Sequence, residues 1–164
     1  MKALAAAALL LAGPALAAPA APPAAAAAPA VPTASADPTA FLAANAKAPG
    51  VVVLPSGLQY KVVKAGDPSG PSPKPGDAIK VHYEGKLLDG TVFDSSFQRG
   101  KPMLAPLGRL IPAWMEARPR MHPGDEWIIY VPPELGYGAD GQGPIPPNSV
   151  LIFRIQLIGM LSAD

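Results

Sequence analysis

The chain contains 164 residues, of which 49% are hydrophobic and 15% are charged, with a formal net charge of +1 and no cysteine. A charge so close to zero gives no electrostatic basis for binding nucleic acid or an anionic membrane surface. The lack of cysteine excludes disulfide bonds, thiolate metal sites and a cysteine nucleophile.

The N-terminus has the three parts of a secretory signal peptide. Lys2 supplies a positive charge, residues 3–11 form a short apolar run, and Ala15-Leu16-Ala17 offers the small residues that a signal peptidase reads. The run is shorter than the roughly 20 apolar residues of a membrane-spanning helix, and Gly13-Pro14 interrupts it. We therefore predict a cleavable signal peptide over residues 1–17, export to the periplasm and no stable membrane anchor.

Residues 18–38 consist almost entirely of alanine and proline. Repeated prolines remove backbone donors and prevent a continuous helix, so this stretch is predicted to be a semi-rigid, disordered tether. The segment TAFLAANAK, residues 39–47, is a short helix candidate that ends before Pro49-Gly50. The sequence therefore predicts a short helical segment over residues 39–49 and a folded domain over residues 50–164.

A β-hairpin is predicted near the middle of the chain. Odd-numbered residues from 79 to 87 are mainly apolar and alternate with polar neighbours, which is the period of a strand with one buried face. Asp89-Gly90 closes the turn. A type I turn with Gly90 in the left-handed region would place Tyr83 and Phe93 on one face, whereas a plain two-residue turn would separate them. We favour the first.

Short elements precede and follow this hairpin. Several antiparallel strands and one short helix can bury a core only if the sheet curls around the helix. The predicted elements are strands at 51–53, 58–64, 125–131 and 150–158, an irregular connection at 97–106, a helix from Pro112 to about Arg118, and a long loop at 132–148.

Motifs of the common catalytic sites are missing from the sequence. The chain has no GxSxG nucleophile elbow, no GxxxxGK phosphate loop and no HExxH zinc motif. His82 lies on the predicted polar face of its strand and His122 in a turn, so both are interpreted as solvated imidazoles. No metal site and no cofactor are predicted, and the side chains that remain for a site are apolar and aromatic.

Four blocks of the sequence resemble one known family. The hairpin VHYEGKLLDGTVFDSS is similar to the signature hairpin of the FKBP family of peptidyl-prolyl cis-trans isomerases, the immunophilins that bind rapamycin-type macrolides. The resemblance continues, in the family's order and approximate spacing, through LIPAW, VPPELGYG and IPPNS. It implies an α+β fold in which a curved antiparallel sheet of about five strands wraps around one short helix.

The resemblance also implies a pocket for proline. Asp94, Ile111 and Tyr137 would be the catalytic residues: the Ile111 backbone N–H and the Tyr137 hydroxyl would hold substrate carbonyls, and Asp94 would lie at the pocket edge. The substrate-binding residues would be Tyr83, Phe93, Arg99, Met103, Leu110, Trp114, Ile145 and Phe153. Arg99 would be able to pair with Asp94.

Some of these residues also have an ordinary structural interpretation. Trp114 and Phe153 could simply pack in the core. Asp94 could cap the turn at Ser95-Ser96. Tyr137 lies in a Gly-rich loop with no core to fill, which favours a functional role.

The sequence departs from the family's usual pattern around this pocket. Met103 and Ala105 replace aromatic or bulky apolar residues, Ala113 replaces the glycine before the tryptophan, and Arg118-Pro119-Arg120 is unusual after the pocket helix. Met103 can still fill apolar space, whereas Ala105 leaves volume unfilled. These changes bear on catalytic rate and macrolide affinity more than on the fold.

The expected function is peptidyl-prolyl isomerisation in exported, Pro-containing clients, with rapamycin-type macrolides as candidate ligands. Rotation about an Xaa-Pro amide needs no nucleophile, metal or proton carrier, which suits an apolar and aromatic pocket. Two alternatives stay open: a chaperone that holds Pro-containing or unfolded segments without catalysis, and an adaptor whose working part is the Ala/Pro segment.

Residues 39–47 resemble only the end of the helix through which the macrophage infectivity potentiator type of this family dimerises, so a monomer is predicted.

Overall fold

A computed structural model of the protein describes residues 37–162. The predicted signal peptide at 1–17 and most of the predicted tether at 18–38 lie outside the described residues. None of the helices within 37–162 is long and apolar enough to cross a membrane. The elements are helices α1 (Pro38–Asn45) and α2 (Pro112–Ala117) and strands β1 (Val51–Val53), β2 (Gln59–Lys64), β3 (Ala78–Lys86), β4 (Val92–Ser95), β5 (Met103–Pro106), β6 (Glu126–Val131) and β7 (Leu151–Leu161).

The described strands form one antiparallel sheet in the order β1-β2-β6-β7-β3-β4. Strand β5 also pairs with β3, so β4 and β5 share the outer edge of β3, one at each end. The architecture is α+β with an open curved antiparallel sheet and few helices, as predicted. The sheet has seven strands rather than about five, because the short segments β1 and β5 also pair.

Strand β5 corrects one sequence-based prediction. Residues 97–106 were expected to be irregular throughout, yet Met103 lies opposite Val81 and Pro106 opposite Ala78 in a regular antiparallel ladder. Four residues are too few to show a strand period, and the pairing depends on the edge that β3 leaves open. Pro106 is tolerated because it ends the strand, where no ladder N–H is required.

The hairpin turn has the predicted conformation. Gly90 has a φ of 87°, in the left-handed region that glycine adopts without a steric penalty. Its N–H donates to the Leu87 carbonyl at 3.0 Å, and the Leu87 N–H donates to the Thr91 carbonyl at 2.9 Å. These bonds make the connection a type I turn followed by a left-handed glycine, which places Phe93 on the same face as Tyr83.

Helix α1 covers one face of the sheet. Asp37 caps the helix, since its carboxylate accepts hydrogen bonds from the Thr39 and Ala40 N–H groups at 2.8 and 3.3 Å. Phe41 is buried and contacts Tyr130 with ring centroids 6.1 Å apart. Residues alternate between the two faces of a strand, so β6 gives Tyr130 to this small cluster and its neighbours to the main core on the other side.

Helix α2 lies in the main core. Ala113 and Ala117 are fully buried, and Trp114 is only 3% exposed. Ala113, which replaces the family's usual glycine, is therefore accommodated inside the core. A helix of six residues has little stability of its own, so its position depends on packing against the sheet.

Arg118, which directly follows α2, is also fully buried. Its guanidinium carbon lies 4.4 Å from the centroid of the Trp114 ring. None of its three side-chain nitrogens has a hydrogen-bond partner in the described part of the chain. Burial lowers the pKa of Arg118 to about 9, because the charged form loses its hydration without gaining a carboxylate.

Replacing this buried charge should stabilise the protein. The lowering of the pKa to about 9 corresponds to roughly 5 kcal/mol of cost to the folded state, and Arg118→Leu should recover part of it as a higher free energy of unfolding. Folded Arg118 loses its proton above about pH 9 while the unfolded side chain stays charged, so the cost is complete below that pH and is relieved above it. The gain should therefore shrink as pH rises from 8 to about 10.

Urea unfolding of the wild type and of Arg118→Leu between pH 8 and about 10 measures this gain in the free energy of unfolding. The exposed Arg120, two residues further on, provides the matched control, because Arg120→Leu should change stability by less than about 0.5 kcal/mol. If Arg118→Leu is no more stable than the wild type, the conclusion that the unpaired buried charge destabilises the fold is wrong.

Candidate active site

Several elements converge on one pocket with a volume of about 600 Å³. The hairpin β3–β4, strands β5 and β7, helix α2 and the loop after β6 each contribute side chains. The lining residues are Tyr83, Phe93, Asp94, Met103, Arg109, Leu110, Ile111, Trp114, Tyr137, Gln142, Gly143, Pro144, Ile145 and Phe153.

Four aromatic rings in contact with one another form one wall of this pocket. The Trp114 ring packs edge to face against Tyr83, with centroids 5.3 Å apart, and against Phe153, with centroids 5.4 Å apart. Phe153 in turn packs edge to face against Phe93 at 5.5 Å. Such perpendicular contacts are favourable between aromatic quadrupoles and restrict how each ring can move. The four rings therefore form one connected and rigid aromatic wall of the pocket.

Gly85 in β3 makes room for two of these rings. A Cβ atom at this position would lie 2.4 Å from Phe93 Cζ and 2.8 Å from Phe153 Cε1. Both distances are well inside van der Waals contact. The lack of a side chain at Gly85 therefore allows Phe93 and Phe153 to meet over the backbone of β3.

A β-bulge brings Phe93 and Asp94 to the same side of the hairpin. Gly85 lies opposite Asp94, but the next residue of β3, Lys86, lies opposite Val92, so Phe93 is an extra residue in β4. Consecutive residues of a regular strand would point to opposite faces. Because of the bulge, both Phe93 and Asp94 line the pocket.

Three polar side chains form a network at the edge of the pocket. The Tyr83 hydroxyl donates a hydrogen bond to Asp94 Oδ2, and Arg99 Nη1 forms an ion pair with Asp94 Oδ1. Arg99 Nη2 also donates to the Tyr83 hydroxyl oxygen at 2.9 Å. Burial by itself would raise the pKa of Asp94, but the hydrogen bonds from Tyr83 and Arg99 outweigh it and hold that pKa below its ordinary value. Asp94 is therefore ionised at neutral pH, with Arg99 compensating its charge.

The Ile111 N–H and the Tyr137 hydroxyl are among the donors of the lining that are free to bind a ligand. Ile111 precedes α2, and no described residue accepts a hydrogen bond from its N–H group or from the Tyr137 hydroxyl. Burial, and to a lesser degree the charge of Asp94, raises the pKa of Tyr137, so its hydroxyl keeps its proton at neutral pH. A carbonyl oxygen in the pocket could accept from either group.

Ten of the eleven site residues predicted from the sequence line this pocket. The exception is Arg99, which lies behind Asp94 and contacts the pocket only through that side chain and Tyr83. Trp114 and Phe153 combine the two interpretations given above, since both are nearly fully buried and both line the pocket. Ala105 is not a lining residue and pairs with Ile79 in the sheet.

Four lining residues were not identified from the sequence: Arg109, Gln142, Gly143 and Pro144. The last three lie between Tyr137 and Ile145, which were both predicted, so their place in the same loop was an available signal. Arg109 had no such signal, because a single arginine in a short turn is ordinary at a protein surface.

The two histidines lie outside this pocket and are half-buried, which corrects their interpretation as solvated imidazoles. His82 stacks on Phe97 with centroids 4.8 Å apart, and its Nδ1 lies 2.9 Å from Ser96 Oγ. The His122 Nδ1 atom lies 3.8 Å from Asp125 Oδ2. Within residues 37–162, no group of three or more His, Cys, Asp or Glu side chains could hold a metal ion.

Two family models match the chain. The model for FKBP-type peptidyl-prolyl cis-trans isomerases matches residues 70–158, which is more than half of the chain. The model for the domain amino terminal to FKBP-type peptidyl-prolyl isomerase matches residues 20–62. The chain belongs to the FKBP-type peptidyl-prolyl cis-trans isomerase family, which confirms the resemblance found in its four sequence blocks.

Similar proteins come from several bacteria. The chain is 53% identical over 122 residues to the peptidyl-prolyl cis-trans isomerase Mip of Coxiella burnetii, covering 74% of this chain and 52% of that protein. It is 49% identical over 125 residues to the outer membrane protein MIP of Legionella longbeachae, covering 76% and 53%. The crystal structure of FkpA from Escherichia coli has a TM-score of 0.74 at 38% identity, covering 77% of this chain and 59% of FkpA. The chain spans about half the length of the curated relatives it matches.

The close packing at Gly85 predicts a clear effect of adding one methyl group. Gly85→Ala should displace Phe93 or Phe153 and lower the free energy of unfolding by about 1–3 kcal/mol, measured by urea unfolding. Gly159→Ala in β7 is the matched control, because nothing lies within 4 Å of a Cβ at that position. Equal stability of the two variants would contradict the close contact of these rings over Gly85.

Proposed function

We propose that this protein is a peptidyl-prolyl cis-trans isomerase that acts on Xaa-Pro bonds in polypeptide clients. The observation that carries the proposal is the combination of a rigid aromatic pocket with two free donors, the Ile111 N–H and the Tyr137 hydroxyl. An apolar ring such as that of proline fits the aromatic wall, and the donors match the carbonyls on either side of it.

The proposed mechanism depends on the polarity of the amide. The barrier to rotation is about 18–20 kcal/mol and comes from resonance that places negative charge on oxygen and positive charge on nitrogen. Water stabilises this charge-separated planar form. A pocket that replaces water with aromatic rings favours the less polar twisted amide, and each 1.4 kcal/mol or so removed from the barrier increases the rate about tenfold.

The polar residues of the site orient the substrate in this mechanism. Ile111 and Tyr137 hold carbonyl oxygens of the flanking residues, so that the prolyl bond is the part of the chain left free to rotate. Asp94 accepts hydrogen bonds from both Tyr83 and Arg99, which fixes the Tyr83 ring against Trp114. We assign Asp94 to shaping the pocket edge, since its two oxygens already have partners.

The proposed setting is the periplasm, where the clients would be exported proteins that fold after secretion. The signal-peptide pattern of residues 1–17 supports export. One relative carries the name outer membrane protein. Uncatalysed prolyl isomerisation takes tens to hundreds of seconds, which is slow enough to limit the folding of such clients. We propose that the protein acts as a monomer. Helix α1 is only eight residues long and so resembles only the end of the helix through which the macrophage infectivity potentiator type of this family dimerises.

The direct test is an isomerase assay on an Ala-Leu-Pro-Phe peptide with purified protein, with and without rapamycin. We expect the cis-to-trans rate to increase in proportion to protein concentration, and rapamycin to remove the increase by filling the same pocket. A folded protein that does not accelerate the reaction would overturn the proposal. Suppression of client aggregation by that same protein would then indicate a holding chaperone.

Tyr137→Phe tests the role of one donor. The loss of a hydrogen bond to a substrate carbonyl should lower kcat/KM by roughly two- to tenfold, while stability stays close to that of the wild type because the hydroxyl has no partner in the described structure. Tyr60→Phe removes a hydroxyl outside the pocket and should leave the rate unchanged. An unaltered rate in Tyr137→Phe would remove this hydroxyl from the mechanism.

A further inference from the structure

Arg109 differs from the other charged residues near the pocket. It ends the 3₁₀ turn Leu107–Arg109, two residues before Ile111, and its side chain is exposed at the pocket wall. No described residue forms an ion pair or a hydrogen bond with its guanidinium. The guanidinium is therefore free to bind a group on an incoming ligand.

The other charged residue of the pocket wall, Asp94, has its charge compensated. Asp94 and Arg109 are the only lining residues with a full charge at neutral pH. Both oxygens of Asp94 have partners, Oδ1 with Arg99 and Oδ2 with Tyr83, so its negative charge is compensated. The acidic residues Glu134 and Asp140 of the neighbouring loop are not part of the lining. One uncompensated positive charge thus remains at the wall, on a residue two positions before Ile111 in the chain.

We propose that Arg109 makes the site favour an acidic residue beside the proline over the uncharged residue of the same shape. The inference rests on the proposed isomerase function: segments with Asp or Glu directly before or after the proline should react faster than the same segments with Asn or Gln. A guanidinium presents its N–H donors in a planar fork that matches the two oxygens of a carboxylate. A lysine beside the proline would instead be repelled, since no free carboxylate lines the pocket to receive it.

The size of the preference follows from the exposure of Arg109. Ion pairs between solvent-exposed side chains are weak because water and salt screen them, and a typical pair changes an equilibrium or rate by about two- to fivefold. The preference should therefore be modest at low ionic strength and should shrink as salt is added. Arg109 selects the substrate in this scheme and takes no part in the rotation itself.

Matched peptides can measure this preference. The substrates are Ala-Xaa-Pro-Phe and Ala-Leu-Pro-Xaa, with Xaa as Glu, Gln or Lys, since Glu and Gln have nearly the same shape and differ in charge. The wild-type protein should have a kcat/KM for the Glu peptide about two- to fivefold above that for Gln in at least one series. Arg109→Gln should bring the ratio to one, and Arg109→Glu should reverse the order of Glu and Lys.

The matched control is Arg120→Gln, which removes an exposed arginine that does not line the pocket. This variant should keep the wild-type ratio of Glu to Gln, because the charge near the substrate is unchanged. The dissociation constants of the same peptides, measured by chemical-shift titration of the Trp114 indole signal, provide a second readout that does not depend on catalysis.

The two proposals fail in distinguishable ways. Suppose that the Gln peptides are accelerated but the ratio of Glu to Gln is one in both kcat/KM and Kd for both peptide series. That result would support the isomerase proposal and overturn the role of Arg109. If no peptide is accelerated, the isomerase proposal fails, and the ratio of dissociation constants still decides the selectivity. A ratio that persists in Arg109→Gln would also overturn the inference, because the preference would then come from another residue.

Discussion

The position of the Trp114 ring is the constraint on which the rest of the structure depends. The ring packs edge to face against Tyr83 from β3 and Phe153 from β7, so the short helix that carries it is held by two neighbouring strands. The same ring belongs to the core and to the pocket lining. Core stability and pocket shape are therefore coupled. The buried guanidinium of Arg118 packs against the same ring and does not line the pocket.

At the edge of the pocket, the aromatic wall meets the polar network of Tyr83, Asp94 and Arg99. Tyr83 contributes its ring to the aromatic wall and its hydroxyl to the carboxylate of Asp94, which Arg99 holds in place from the outside. Because both oxygens of Asp94 have partners within this network, the free groups of Ile111 and Tyr137 remain available to the substrate. An aromatic wall with a few fixed donors suits a reaction that rotates a bond without breaking one.

Much of the fold and the site could be predicted from local sequence patterns. The alternation along β3 indicated its buried face, and Asp89-Gly90 indicated the turn whose left-handed glycine the structure contains. The aromatic residues of the pocket came from the family resemblance, since periodicity by itself cannot distinguish a core tryptophan such as Trp114 from one that contacts a ligand. Arg109 was missed because neither signal marks a lone surface arginine.

The sequence by itself determined the strand faces, the hairpin turn, the short helix and the family, because each depends on residues close together in the chain. Only the tertiary structure decided that residues 103–106 pair with β3 and that a bulge at Phe93 turns Asp94 toward the pocket. It also decided that Arg118 is buried without a hydrogen-bond partner among residues 37–162. Each of these depends on which distant backbone or side chain lies opposite, and such contacts leave no periodic trace in the sequence.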